Sequence, residues 1–126
     1  MAAFELYIRD ERLHTLKLEN VDTENLFDVL GTIDPGWDLD AYRDRIFSDN
    51  RLHRFRSIIE AASAEIQAKI LNGITSSLNK SILPKWADAL LKKKKEEEPM
   101  VAFLEELATI CDIALEEKGE IRFYCD

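Results

Sequence analysis

Apolar and polar residues alternate at both ends of the chain, while between the ends they repeat at helical spacing. Phe4, Leu6 and Ile8 alternate with Glu5, Tyr7 and Arg9, the two-residue period of a half-buried strand. Arg9-Asp10-Glu11-Arg12 is a charged turn without glycine, which suits a longer type I-based loop better than a tight primed turn. On the return strand Leu16 and Leu18 alternate with Thr15 and Lys17, and His14 shares the parity of the leucines, so it is expected to point inward near the sheet edge. At the far end Ile121, Phe123 and Cys125 share a face opposite Arg122 and Tyr124. A single terminal strand is not stable alone, so Glu120–Cys125 is expected to pair with the hairpin of Ala3–Leu18. The face covered by helices is then Phe4, Leu6, Ile8, Leu16, Leu18, Ile121, Phe123 and Cys125.

Five helices are expected between the strands. Asp22 or Thr23 caps the first, whose Leu26, Val29, Leu30 and Ile33 fall on one face and which stops at Asp34-Pro35-Gly36. Trp37 follows as an anchor, and Asp38 caps a short second helix carrying Leu39, Tyr42, Ile46 and Phe47. The third and longest runs from Arg51 to Leu78 on Leu52, Phe55, Ile59, Ala62, Ile66 and Ile70. Its stripe widens through Leu71, Ile74 and Leu78, which predicts deeper burial of the C-terminal half. A fourth starts at Ser81–Pro84 and turns Trp86 and Leu90 inward. Lys92–Lys95 and Glu96–Glu98 then complement the end of one helix dipole and the start of the next. Pro99 opens the fifth helix, with Val101, Leu104, Leu107, Ala108, Cys111 and Leu115 on its core face and Gly119 as its stop. The fold class is therefore α+β: about five helices on a small, mostly antiparallel three-stranded sheet. Short connections and the absence of a repeat or linker make residues 1–126 one globular domain.

Composition narrows the setting. The apolar share of 46% and charged share of 33% belong to a folded chain, and no apolar run reaches the roughly 20 residues of a membrane span. Two cysteines, Cys111 and Cys125, are too few for a disulfide framework and read as small buried hydrophobes in a reducing compartment. MAAFELYIRDE carries no secretory pattern, so a cytoplasmic location is expected and no membrane partner. The net charge of −8 disfavours nucleic acid and favours basic partners.

Chemistry is sparse in the sequence. With only Gly31, Gly36, Gly73 and Gly119 there is no glycine-rich phosphate loop, and no cofactor is expected. His14, His53, Cys111 and Cys125 show no CxxC, HxxxH or HExxH spacing, so no metal site is expected. Pairing of the terminal strands could bring His14 toward Cys125, although Asp126 beside that cysteine opposes thiolate formation. Asp34, Asp38, Asp40 and Asp44 surround Trp37, yet the EF-hand pattern is absent, and turn formation and capping account for Asp34 and Asp38. Arg43, Arg45, Arg51, Arg54 and Arg56 lie within fourteen residues; their segment carries a net +3, leaving −11 for the remainder. They form a candidate contact for an anion or an acidic partner, or else the solvated faces of two helices.

The reading that asks least of the residues is a small acidic, non-enzymatic protein-binding module. Immunity proteins, antitoxins and adaptors that cover a basic partner are of this electrostatic type. Its contact pool is Glu96, Glu97, Glu98, Glu105, Glu106, Glu116 and Glu117. One alternative is a small hydrolase-type enzyme using carboxylates or the Cys–His pair; another is nucleic-acid binding through Arg43–Arg56. An exposed hairpin edge leaves room for a homodimer, against which the charged turn and short strands act.

Overall fold

A computed structural model describes residues 2–19, 21–36, 45–77 and 99–125. The elements are β1 (Ala3–Ile8), β2 (Glu11–Lys17), α1 (Thr23–Ile33), β3 (Arg45–Phe47), α2 (Asp49–Ser77), α3 (Pro99–Glu116) and β4 (Glu120–Tyr124). All strand pairs are antiparallel, in the order β2-β1-β4-β3. The two ends of the chain thus supply the two central strands, with Phe4 opposite Phe123 and Leu6 opposite Ile121. Their side chains bury against the helices, while Glu5, Tyr7, Arg122 and Tyr124 on the other parity are only partly covered. No described helix is long and apolar enough to cross a membrane.

The α+β class and the pairing of the ends agree with the sequence pattern, but the sheet has four strands instead of three. The expected first, third and fifth helices correspond to α1, α2 and α3. For the expected second helix, Trp37–Asp44 lie outside the described residues, and Arg45–Phe47 is strand β3 instead. Ile46 and Phe47 point to opposite sides there: Ile46 is exposed, whereas Phe47 is fully buried and stacks on Phe55 with ring centroids 4.0 Å apart. A three-residue strand is too short to display its period, so the spacing from Leu39 and Tyr42 mimics a helix. The fourth helix, with Trp86, Leu90 and Lys92–Lys95, also lies outside the described residues.

The hairpin departs from the expected long loop. Only Arg9 and Asp10 connect β1 to β2, both left-handed with φ of 54° and 64°, as a type I′ turn requires. The register then shifts: Leu6 faces His14 but Tyr7 faces Arg12, so Leu13 is an extra, bulged residue and is 54% exposed. His14 lies across from buried Leu6 but is exposed, because β2 is an edge strand and the helical layer does not reach its outer end.

All six phenylalanines of the chain belong to one network of ring contacts centred on Phe4, which meets Phe27, Phe55, Phe103 and Phe123. Phe47 joins through Phe55. Along α2 full burial falls at Leu52, Phe55, Ile59 and Ala62, while Ile66, Ile70 and Leu71 are half-buried. Up to residue 72 full burial is thus confined to the N-terminal half, while the side chains of Ile74 and Leu78, on which the expected deeper burial of the C-terminal half rests, lie outside the described residues. Asp22, not Thr23, caps α1 by accepting from the amides of Glu24 (2.9 Å) and Asn25 (3.3 Å). Beyond α3 the left-handed residue is Lys118 (φ 55°), and Gly119 serves a different need: a Cβ there would strike the Tyr7 carbonyl oxygen and Ile8.

Candidate functional site

The amphipathic period of α3 sorts its residues. Val101, Phe103, Leu104, Leu107, Ile110, Cys111 and Ala114 are buried, which leaves Glu105, Glu106, Asp112, Ile113 and Glu116 in solvent. Glu105, Asp112 and Glu116 are spaced seven and four apart and so share one face, and the helix contains no lysine or arginine. Glu117 extends the exposed carboxylates past its end. Between α2 and α3 runs a groove of about 450 Å³. Ser63, Ala64 and Ala108 keep it open, and Glu60, Glu105 and Asp112 stand along it. Arg56 is the one cation among its described lining residues, and it is engaged: its Nε donates to Asp112 Oδ1 at 2.8 Å, its Nη2 donates to Oδ2 at 3.4 Å, and Glu60 lies 3.6 Å away. The hydrogen bond to Asp112 raises the Arg56 pKa, so the guanidinium keeps its proton.

The structure disperses the clustered arginines. Arg54 donates to Asp34 at 2.7 Å, which holds that carboxyl below its usual range and ties α2 to the end of α1. Arg56 turns to Asp112. Arg45 and Arg51 instead line a cavity of about 430 Å³ together with Ile46, Arg122, Phe123 and Tyr124. Arg122 joins them only because Ile46 of β3 pairs with it across the sheet. Its guanidinium lies over the Tyr7 ring at 3.8 Å and donates to Glu120 at 2.8 Å. In sequence Arg122 is simply the solvent-parity residue of the last strand; no local signal links it to Arg45 and Arg51, far back in the chain. Arg43 lies outside the described residues, as do Glu96, Glu97 and Glu98.

No protein-family model, curated protein or solved structure matches the chain. Its own geometry is therefore what bears on function. His14 faces Leu6, which in turn faces Ile121, whereas Cys125 lies four residues beyond Ile121, just past the end of β4, the second strand over from β2. The register thus sets the imidazole and the thiol well apart instead of joining them. Cys111 is buried, and desolvation pushes its thiol up to about 12, the reverse of an activated nucleophile. Of the aspartates around Trp37, Asp34 is held by Arg54, and Asp38, Asp40 and Asp44 lie outside the described residues. Among the described residues no three His, Cys, Asp or Glu side chains gather as metal ligands.

Proposed function

We propose that this protein is a non-enzymatic binding module that covers a basic protein partner with the acidic face of α3 and the groove beside it. The observation that carries the reading is the placing of Glu105, Asp112 and Glu116 on one exposed face of a helix without cations, bordering an open groove, with Asp112 shared with Arg56 of α2. Such a face accelerates association with a cationic surface and fixes register, and exposed Ile113 supplies an apolar contact within it. Immunity-type and adaptor proteins share this electrostatic logic. A cytoplasmic setting accords with two cysteines and no disulfide requirement.

The same module is expected to act without strand-mediated self-association. The sheet edges are β2, broken by its bulge at Leu13 and lined by Glu11, Arg12 and Lys17, and β3, only three residues long. Both are poor templates for pairing with a second chain. Nucleic-acid binding through Arg43–Arg56 is weakened as a reading because Arg54 and Arg56 are spent on Asp34 and Asp112.

The test is capture of partners from the native host at low salt, run in parallel with the wild-type chain and a Glu105→Lys/Glu116→Lys variant. A partner retained by the wild type, released by rising salt and lost from the variant supports the reading. Retention by both, or indifference to salt, contradicts it.

A further inference from the structure

We propose that the groove between β2 and the first turns of α3 takes a short extended peptide of a partner protein, which adds to the four-stranded sheet along its β2 edge. The groove encloses about 470 Å³, and among the described residues it shares none with the groove between α2 and α3, so the two surfaces stand independently. On its sheet side lie Thr15, Leu16 and Lys17. Leu18 donates its amide to the Ala2 carbonyl at 3.0 Å, and the register continues from there through Ala3–Lys17, Phe4–Leu16 and Glu5–Thr15. Hydrogen-bonded and non-bonded pairs alternate along an antiparallel ladder, so Leu16 and Leu18 bond to β1 while Thr15 and Lys17 direct their N–H and C=O groups away from it. β2 is the last strand of the sheet on that side, and those groups therefore form its open edge. Donors and acceptors at strand spacing match the main chain of an extended peptide; a helix bonds its own main chain and has none to offer.

The rest of the groove specifies what that peptide carries. Its floor is apolar, from Leu16 and Phe103, both buried. Across from β2, Pro99, Ala102 and Glu106 are spaced three and four apart on one face of α3, and the small side chain of Ala102 leaves the space open. Glu19 and Glu106 are exposed at the rim, and among the described residues neither is in an ion pair. Lys17 is the one cation among the described lining residues; its parity is opposite to that of buried Leu16, so its side chain leaves on the other face of the sheet. The side chains of the groove are thus apolar below and anionic at the rim. A complementary peptide has an apolar residue on the floor and, two positions along on the same side, a lysine or arginine for the carboxylates. Its length is limited by the register shift that bulges Leu13 and by Val21 at the other end. A whole strand of a second copy finds no continuous edge there, whereas a short peptide needs only Thr15–Lys17.

Panning the full chain against a display library of random short peptides, followed by titration of the enriched peptides in synthetic form, tests the proposal. Enriched sequences are expected to hold an apolar residue two positions from a lysine or arginine. Bound peptide should slow hydrogen exchange at the Thr15 and Lys17 amides and shift the resonances of Ala102, Phe103 and Glu106. Ala102→Arg, at an exposed position that leaves the core intact, should weaken binding about tenfold or more by filling the groove. Glu106→Lys should weaken it as well, whereas Asp28→Lys, the same charge reversal at an exposed position of α1, should not. No enrichment, peptides that leave the Thr15 and Lys17 amides unprotected, or equal binding by the wild type and Ala102→Arg overturns the proposal. Peptides that shift only the groove between α2 and α3 overturn it too, since they belong to the other surface.

Discussion

Phe4 is fully buried and its ring meets four others, so the first strand is pinned at once to α1, α2, α3 and β4. Rings this close add directional contacts to the area they bury, which favours one arrangement of the layers over its alternatives. Cys111 tests how dry the adjoining helix interface is. Its thiol is raised from an ordinary 9.0 to about 12, chiefly by desolvation. In the unfolded chain the thiol ionises from about 9 upward, while the folded state keeps its proton until about 12. The unfolded state therefore binds fewer protons in that interval, and stability falls as pH rises through it, with no contribution from this group below it. Denaturant midpoints measured across the interval should fall more steeply for the wild type than for Cys111→Ala. Parallel curves would show that the thiol is not excluded from water.

At the scale of elements, the passage from α3 to β4 is the tightest joint. Gly119 donates its amide to the Ala114 carbonyl at 2.7 Å and sits against the backbone of β1, with no room for a methyl group. Gly119→Ala is expected to destabilise the fold by about 1–3 kcal/mol, as overpacking does elsewhere. Equilibrium unfolding with an unchanged midpoint would show that β1 and β4 do not approach as described. The sequence reads this glycine as a helix stop, since a local pattern cannot show a strand from the other end of the chain lying against it. The same limit applies to the other departures. Long alternating or 3.6-residue patterns made β1, β4, α1, α2 and α3 legible, because each displays its period several times over. β3 shows one alternation only, and the two-residue turn uses Arg9 and Asp10 where glycine or asparagine is usual. The exposure of Glu105, Glu106, Glu116 and Glu117 was legible from the apolar stripe of one helix, whereas Asp112 was not among the expected contacts. The cavity lined by Arg45, Arg51 and Arg122 was not legible: it depends on β3 pairing with β4, a contact between residues far apart in the chain.

At the scale of the molecule, the charges of the described residues are divided by architecture. The helical layer turns the carboxylates of α3 outward, while the β3–β4 end of the sheet gathers Arg45, Arg51 and Arg122. Both surfaces rest on one arrangement, the placement of the last strand between the first strand and β3. If β4 left the sheet, Arg122 would part from Arg45, and α3 would lose the strand that follows and anchors it. Amide hydrogen exchange on the unmodified protein tests this placement directly, since central strands open only with the global fold whereas edges and tails open locally. The amides of β1 and β4 are expected to be the slowest-exchanging of the sheet, with a common opening free energy, and those of β2 and β3 faster. Rapid exchange throughout Glu120–Tyr124, as in a frayed terminus, would contradict the fold and both surfaces built upon it.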